Sequence, residues 1–281
     1  MKRFCSVFLV VFFVTTSVAE GRKVGLTLSG GGALGFAHVG ALQAFADNGI
    51  EFDCVAGTSM GAIVGSLYAA GVAPQEMLQL TERHGLNKTL KLISVQRSSK
   101  TGISSHKALR EALEECLPKS FDSLQKPFFV SVTNLTTTQN EMVGTGKNLI
   151  DYVVASASVP GIFEVVDIAG NQYVDGGVLN NMPTQALVGL CDVIVGVDVV
   201  ADYEKNKLQR TREVTTRALR MMIQSNSLQG QQLCDFLIKP QVLKDFSETD
   251  FDKYQEIYQC GYNAVKQFIA KNPKILLLKK Q

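Results

Sequence analysis

Apolar and polar positions along this chain alternate between a period of two and a period near 3.6, and the switches mark its elements. Residues 23–29 alternate around Val24, Leu26 and Leu28, which predicts a first core strand. Phe36–Asp47 carries Val39, Leu42 and Phe45 on one face and closes at Asn48-Gly49, which predicts a helix. The short run 52–56 suits a buried strand, and 62–70 is apolar at nearly every position before it stops at Gly71. Further helices are predicted over Pro74–Arg83, 107–117, 205–232 and Tyr254–Lys271, and further strands over 127–133, 193–199 and 234–239. Residues 165–168 and 172–174 read as a hairpin across Ala169-Gly170-Asn171. Asn180, Asn181 and Pro183 read as a loop opening a helix through Ala186 and Leu187, and 275–280 as a short apolar tail with a basic end. With no internal repeat or low-complexity linker, the pattern predicts one α/β domain around a single core.

The first 19 residues stand apart. Lys2 and Arg3 precede an apolar stretch, 4–14, broken only by Cys5 and Ser6, and Ser17-Val18-Ala19 supplies small residues where a signal peptidase reads them. The stretch falls short of the roughly 20 residues of a membrane-spanning helix. Residues 1–19 are therefore expected to be an export leader, with an uncleaved amino-terminal membrane anchor as the lesser alternative, and 20–281 the folded domain of a periplasmic or secreted protein. Without Lys2 and Arg3 the formal charge falls from +2 to zero, so no broad positive field for nucleic acid is present. Five of the six cysteines lie beyond the leader, at spacings that give neither a zinc pattern nor a C-x-x-C pair. Most are expected to be packed thiols, with one disulfide left open, and no metal or cofactor is expected.

Chemistry concentrates at Gly57-Thr58-Ser59-Met60-Gly61, between a strand and a helix. A strand that reverses directly into a helix brings its two limbs close, and Gly57 and Gly61 remove the side chains that would collide. The turn presents the Ser59 hydroxyl near unpaired N–H groups at the start of the helix, the arrangement of a nucleophile elbow. The first strand likewise runs into Gly30-Gly31-Gly32-Ala33-Leu34-Gly35. Glycines there let several N–H groups face an anion. The spacing Gly30-x-Gly32-x-x-Gly35 also fits a dinucleotide fingerprint, with Asp53 about 20 residues on as the ribose-binding acid. Asp53, however, opens the run that leads into Ser59 instead of ending a strand, so an oxyanion hole is the stronger reading. His38, His84 and His106 all fall in or beside helices early in the chain, where a packing or capping role is expected of each. The base is sought instead at Asp175-Gly176-Gly177, where the hairpin's second strand delivers a carboxylate into an open turn. Asp192 and Asp198 lack that glycine pair and are expected to be solvated strand-end carboxylates.

The ordered motifs Gly30-Gly31-Gly32-Ala33-Leu34-Gly35, Gly57-Thr58-Ser59-Met60-Gly61 and Asp175-Gly176-Gly177, with the stretch from Ala155 to Phe163 between the last two, resemble the patatin-like phospholipase family over about residues 24–200. The resemblance implies a three-layer α/β/α fold with a mostly parallel sheet and hydrolysis of lipid acyl esters by a serine–aspartate dyad without a catalytic histidine or a metal. It implies Ser59 as nucleophile and Asp175 as proton acceptor. It further implies an oxyanion hole at Gly30, Gly31 and Gly32, chiefly through Gly31 and Gly32. Gly35, Gly57, Gly61, Gly176 and Gly177 are motif positions. Leu34 departs from the Arg or Lys that the family often carries, which weakens the case for a charged phospholipid more than the case for an ester. The segment 205–232, with arginines beside methionines, reads either as a transient lipid-surface contact or as a solvated helix on the core. Residues 88–100 read as a lid candidate. The competing reading of the whole is a catalytically silent lipid-binding protein that keeps the fold.

Overall fold

The computed structural model of the chain describes residues 22–88, 101–102, 104–202 and 207–279, in which the alternation of strand and helix closes into one sheet. The expected leader, residues 89–100 of the lid candidate and the first residues of the predicted 205–232 helix lie outside the described residues.

Among the described residues the strands are β1 (Val24–Leu28), β2 (Cys54–Thr58), β3 (Phe128–Asn134), β4 (Gln139–Val143), β5 (Val166–Ile168), β6 (Asn171–Asp175), β7 (Val193–Val197) and β8 (Phe236–Ile238). The helices are α1 (Phe36–Asp47), α2 (Met60–Ala69), α3 (Pro74–Arg83), α4 (Lys107–Cys116), α5 (Leu149–Ser156), α6 (Thr211–Gln232) and α7 (Tyr254–Lys271). Pairing follows the path β5-β6-β3-β2-β1-β7-β8, with β4 on β3. The run β3, β2, β1, β7, β8 is parallel, and β4, β5 and β6 add an antiparallel end.

The register on β3 decides where the chemistry can sit. β2 pairs with Phe128 to Ser131 and β6 with Val132 to Asn134, while β4 pairs with Val130 to Asn134. A strand has two hydrogen-bonding edges. Since β4 overlaps both of the others, β2 and β6 must share the edge opposite β4. β2 runs parallel to β3 and β6 antiparallel, so the two meet head to head, with Thr58 opposite Ser131 and Asp175 opposite Val132.

Both faces of the sheet are apolar, as a parallel sheet requires. Leu26, Leu28, Val55, Val130, Val132, Val195 and Val197 face the main core, where α1 is buried on nearly every side. A helix that is apolar all round belongs in an interior. On its far side α7 crosses so closely that a Cβ on Gly40 would meet the Tyr258 carbonyl, and one on Gly261 the Ala37 carbonyl. The other face carries Cys54, Ala56, Phe129 and Ile194, covered by Ala186 and Leu187. The five cysteines among the described residues are free and at least half-buried, as packed thiols.

Four details differ from expectation. β2 continues to Thr58 and α2 begins at Met60, so the turn between them is Ser59 alone. β4 and α5 were not foreseen. The turn through Ala186 and Leu187 and the tail Pro273–Leu278 are 3₁₀ helices. α6 starts at Thr211, because the Glu213 carboxylate accepts from the N–H groups of Gln209 and Arg210 and caps the first turn.

Candidate active site

Ser59 occupies the turn with φ 55° and ψ −124°, a left-handed conformation that a residue with a side chain adopts only when its surroundings enforce it. The enforcement is visible on both sides. A Cβ on Gly57 would strike the Gly61 carbonyl, and one on Gly61 would strike the carbonyls of Leu28 and Ser29. The Ser59 N–H donates to the Ser156 hydroxyl at 2.9 Å, and that hydroxyl donates to the Ser131 carbonyl at 2.7 Å. A relay through α5 thus ties the turn to β3. The hydroxyls of Thr58 and Ser131 both donate to the Asn180 carbonyl, at 3.0 and 3.2 Å, closing the far side.

Asp175 arrives from the opposite direction. Its carboxylate accepts from the Gly177 N–H at 2.7 Å, and the Ser59 hydroxyl lies within hydrogen-bonding reach. The backbone N–H of Asp175 donates to the Ser158 carbonyl at 3.0 Å. A side chain at Gly176 would collide with the Ser131 carbonyl, and one at Gly177 would come within 3.0 Å of the Asp175 carboxylate. Ser59 and Asp175 are 7% and 6% exposed. Burial raises the Asp175 pKa from 3.8 to about 6, against the opposing pull of the Gly177 N–H and the Ser59 hydroxyl.

The glycine loop sits beside this pair, and a Cβ on Gly30 would come within 3.1 Å of the Ser59 Cβ. The Gly30 N–H donates to the Asn181 carbonyl at 3.1 Å, which removes Gly30 from the three expected oxyanion donors. Among the described residues, the N–H groups of Gly31 and Gly32 have no such partner. Gly32 has φ +54° and lies so near the Glu248 carbonyl that a Cβ would come within 2.5 Å of it. That carbonyl accepts from the Ala33 N–H at 2.9 Å, and the Glu248 carboxylate is held by Arg220 of α6, with Nη2 at 2.8 Å from Oε2. Leu34 is 2% exposed and packs in the core. Gly35 meets Met60, where a Cβ would come within 2.6 Å of the Met60 Cβ.

The other candidates are engaged elsewhere. The Asp53 carboxylate accepts from the Val24 N–H at 2.8 Å, at the far end of the sheet from the glycine loop, a structural tie and not a ribose contact. Asp198 is fully buried, contrary to the expectation of a solvated carboxylate. Gln231 at 2.5 Å, the Val200 N–H at 3.0 Å and Lys239 at 4.0 Å surround it. Asp192 accepts from the Lys23 N–H. His38 donates through Nε2 to the Ser29 carbonyl at 2.8 Å, and burial lowers its pKa to about 4. His84 pairs with Glu115, and His106 contacts the Ser158 hydroxyl at 2.8 Å and stacks on Phe163. Among the described residues none of the three is hydrogen-bonded to Ser59. No cluster of metal-ligating side chains occurs among the described residues. Ser156, Ser131, Asn181, Glu248 and Arg220 were not foreseen as parts of the site. Ser156 alone had a signal, since it falls in the stretch that carries the resemblance.

A strand that turns through a strained serine into a helix, with a buried carboxylate at its side and glycine N–H groups beside it, has the geometry of a nucleophile elbow in an α/β fold. The chain belongs to the patatin-like phospholipase family, whose model matches residues 26–188, more than half of its length. It is 28% identical over 284 residues to Lysophospholipase nte1 of Aspergillus fumigatus, covering 89% of this chain and 18% of that protein. It is 34% identical over 184 residues to Lysophospholipase NTE1 of Cryptococcus neoformans var. neoformans serotype D, covering 64% of this chain and 11% of that protein. The chain thus spans less than a fifth of the curated relatives it matches. Among solved structures, VipD from Legionella pneumophila shares the fold, with a TM-score of 0.50 and 18% identity over 89% of this chain and 67% of that one.

Proposed function

We propose that this protein hydrolyses acyl esters of lipids, in the manner of a phospholipase A or lysophospholipase, through Ser59 and Asp175. The observation that carries the reading is the head-to-head meeting of β2 and β6, which brings a strained serine against a buried carboxylate. The lysophospholipase relatives favour the same substrate class.

Asp175 accepts the Ser59 proton as Oγ attacks the ester carbonyl. The carbonyl oxygen gains negative charge, and the N–H groups of Gly31 and Gly32 stabilise it; such a donor is typically worth on the order of 10²-fold in rate. Collapse of the tetrahedral species expels the alcohol, which takes the proton back from Asp175, and an acyl-serine remains. Water, deprotonated by Asp175, then attacks this ester; collapse releases the fatty acid and Ser59 Oγ takes the proton back from Asp175, which restores the starting pair. A carboxyl with a pKa of about 6 suits both roles. It is mostly ionised at neutral pH, and it is a stronger base than an ordinary aspartate. Leu34 leaves the loop without a cation of its own, so the site favours an acyl ester over a headgroup charge as its recognition element.

Hydrolysis of a graded series, from short-chain chromogenic esters to phospholipid and lysophospholipid, tests the reading. Ser59→Ala and Asp175→Asn are each expected to lower turnover by about 10³-fold or more. A folded native protein that hydrolyses none of these esters would establish the silent lipid-binding alternative instead.

A further inference from the structure

Two thiols meet on the second face of the sheet. Cys54 opens β2, and its register partner on β1 is Gly25. Partnered residues on neighbouring parallel strands point to the same face, so Gly25 leaves a notch beside the Cys54 side chain. Cys191, two residues before β7, fills that notch. Its Sγ lies 2.9 Å and its Cβ 3.2 Å from where a Gly25 Cβ would stand. Neighbouring strands are about 4.8 Å apart, so a sulfur at that place is one strand spacing from the Cys54 Cβ, a gap that the Cys54 Sγ spans. The two thiols accordingly share a hydrogen bond. Cys234, the other thiol of this face, is engaged elsewhere, with the Gly230 carbonyl at 3.4 Å and the Thr184 hydroxyl at 3.8 Å.

The two sulfurs differ in access. Cys54 is 7% exposed, whereas Cys191 is partly exposed in a surface turn between Gly189 and β7, beside exposed Val188 and Leu190. Its N–H donates to the Leu187 carbonyl at 3.1 Å. When the pair loses one proton, the remaining S–H stabilises the thiolate. That sharing draws the Cys54 pKa down to about 7 against the opposing effect of burial, and it raises that of Cys191.

We propose that Cys54 and Cys191 form a redox modification site, closing to a disulfide by exchange with a low-molecular-weight disulfide such as oxidised glutathione. The proposal rests on neither the lipid-hydrolase reading nor the expected leader. In the singly ionised pair the proton passes to Cys54, and the Cys191 sulfur attacks one sulfur of oxidised glutathione. The glutathione S–S bond breaks, a Cys191–glutathione bond forms, and one glutathione thiolate leaves. Cys54 then gives its proton to water and attacks the Cys191 sulfur, expelling the second glutathione thiolate. Two protein thiols are oxidised, and one glutathione disulfide is reduced to two thiols, which take up the two protons released. The new bond staples β2 to the entry of β7 over β1 and closes a loop of more than a hundred residues.

The test is incubation of the folded full chain with excess oxidised glutathione, alkylation of the remaining thiols with a maleimide, and mapping of the unreduced peptides. The expected product is a single peptide pair joined through Cys54 and Cys191. Its thermal unfolding midpoint should stand about 5 °C or more above that of the reduced protein, with the rise removed by a reductant. In Cys54→Ala a glutathione adduct should persist on Cys191, because the resolving thiol is gone. In Cys191→Ala the enclosed Cys54 should stay unmodified. Free thiols at both positions after treatment of the unsubstituted protein overturn the proposal. So does a glutathione adduct that persists on Cys191 of that protein, or a disulfide from either residue to another cysteine. An unraised midpoint in the linked protein overturns the staple. The peptide map is read on the unsubstituted chain, so it decides the pairing even where a variant fails to fold.

Discussion

At Asp175 two demands oppose each other. Enclosure makes its carboxylate a better base, and the same enclosure makes the anion costly to the fold. Its pKa is about 6 in the native protein against 3.8 when unperturbed, so between those values the native state binds more protons than the unfolded one. Stability contributed by this group therefore declines as pH rises from about 4 to 6, and at pH 7 the charged side chain costs on the order of 1–3 kcal/mol. Asparagine has the same shape and can still accept from the Gly177 N–H. Asp175→Asn is accordingly expected to unfold at a higher temperature than the parent at pH 7, with the advantage disappearing near pH 4. Thermal unfolding at the two pH values checks this, and an equal or lower midpoint at pH 7 would mean that the buried charge carries no such cost.

At the scale of elements, the site depends on segments that hold its loops without touching the reacting atoms. Glu248 is the clearest case. Its carbonyl fixes the Ala33 N–H and abuts Gly32, and its carboxylate is fixed by Arg220. Arg220→Ala releases that strut and lets the Gly31 and Gly32 N–H groups drift from the oxyanion position. The expected result is a drop of about tenfold in kcat on a soluble ester, with KM changed by less than about twofold and partial recovery in Arg220→Lys. Steady-state kinetics on one soluble ester separates this from a general loss of fold, which would lower active enzyme without rescue by lysine. The same contrast explains what was legible beforehand. Helices α1, α3 and α7 fall where periodicity and flanking Asn, Gly and Pro put them, because their boundaries are set locally. β4 carries polar Gln139, Asn140 and Glu141 without alternation and exists because β3 offers it an edge. α5 has no side-chain cap, and its start at Asn148 is a left-handed residue with no strong sequence mark. Ser59, Asp175 and the glycine frames were readable because each lies in a short contiguous motif. Ser156, Asn181, Glu248 and Arg220 reach the site from distant parts of the chain, and the misplaced Gly30 donor turned on one such residue, Asn181.

On the scale of the molecule, one arrangement on β3 accounts for the site. The parallel part of the sheet delivers a serine and the antiparallel part an aspartate, along one edge and from opposite ends. Neither half builds the pair alone, and over 100 residues of chain separate the two motifs. The histidines that could have served instead are occupied with the Ser29 carbonyl, Glu115 and Ser158. The central claim is therefore that Ser59 is made nucleophilic by Asp175 and by no other group. The most direct measurement is the rate at which a fluorophosphonate labels the protein as a function of pH, with the labelled peptide mapped. The prediction is a single label on Ser59 whose rate rises through a midpoint near pH 6, falls about tenfold per unit below it, and collapses in Asp175→Asn. Labelling at another residue, or labelling of Ser59 at an undiminished rate in Asp175→Asn, would contradict the dyad.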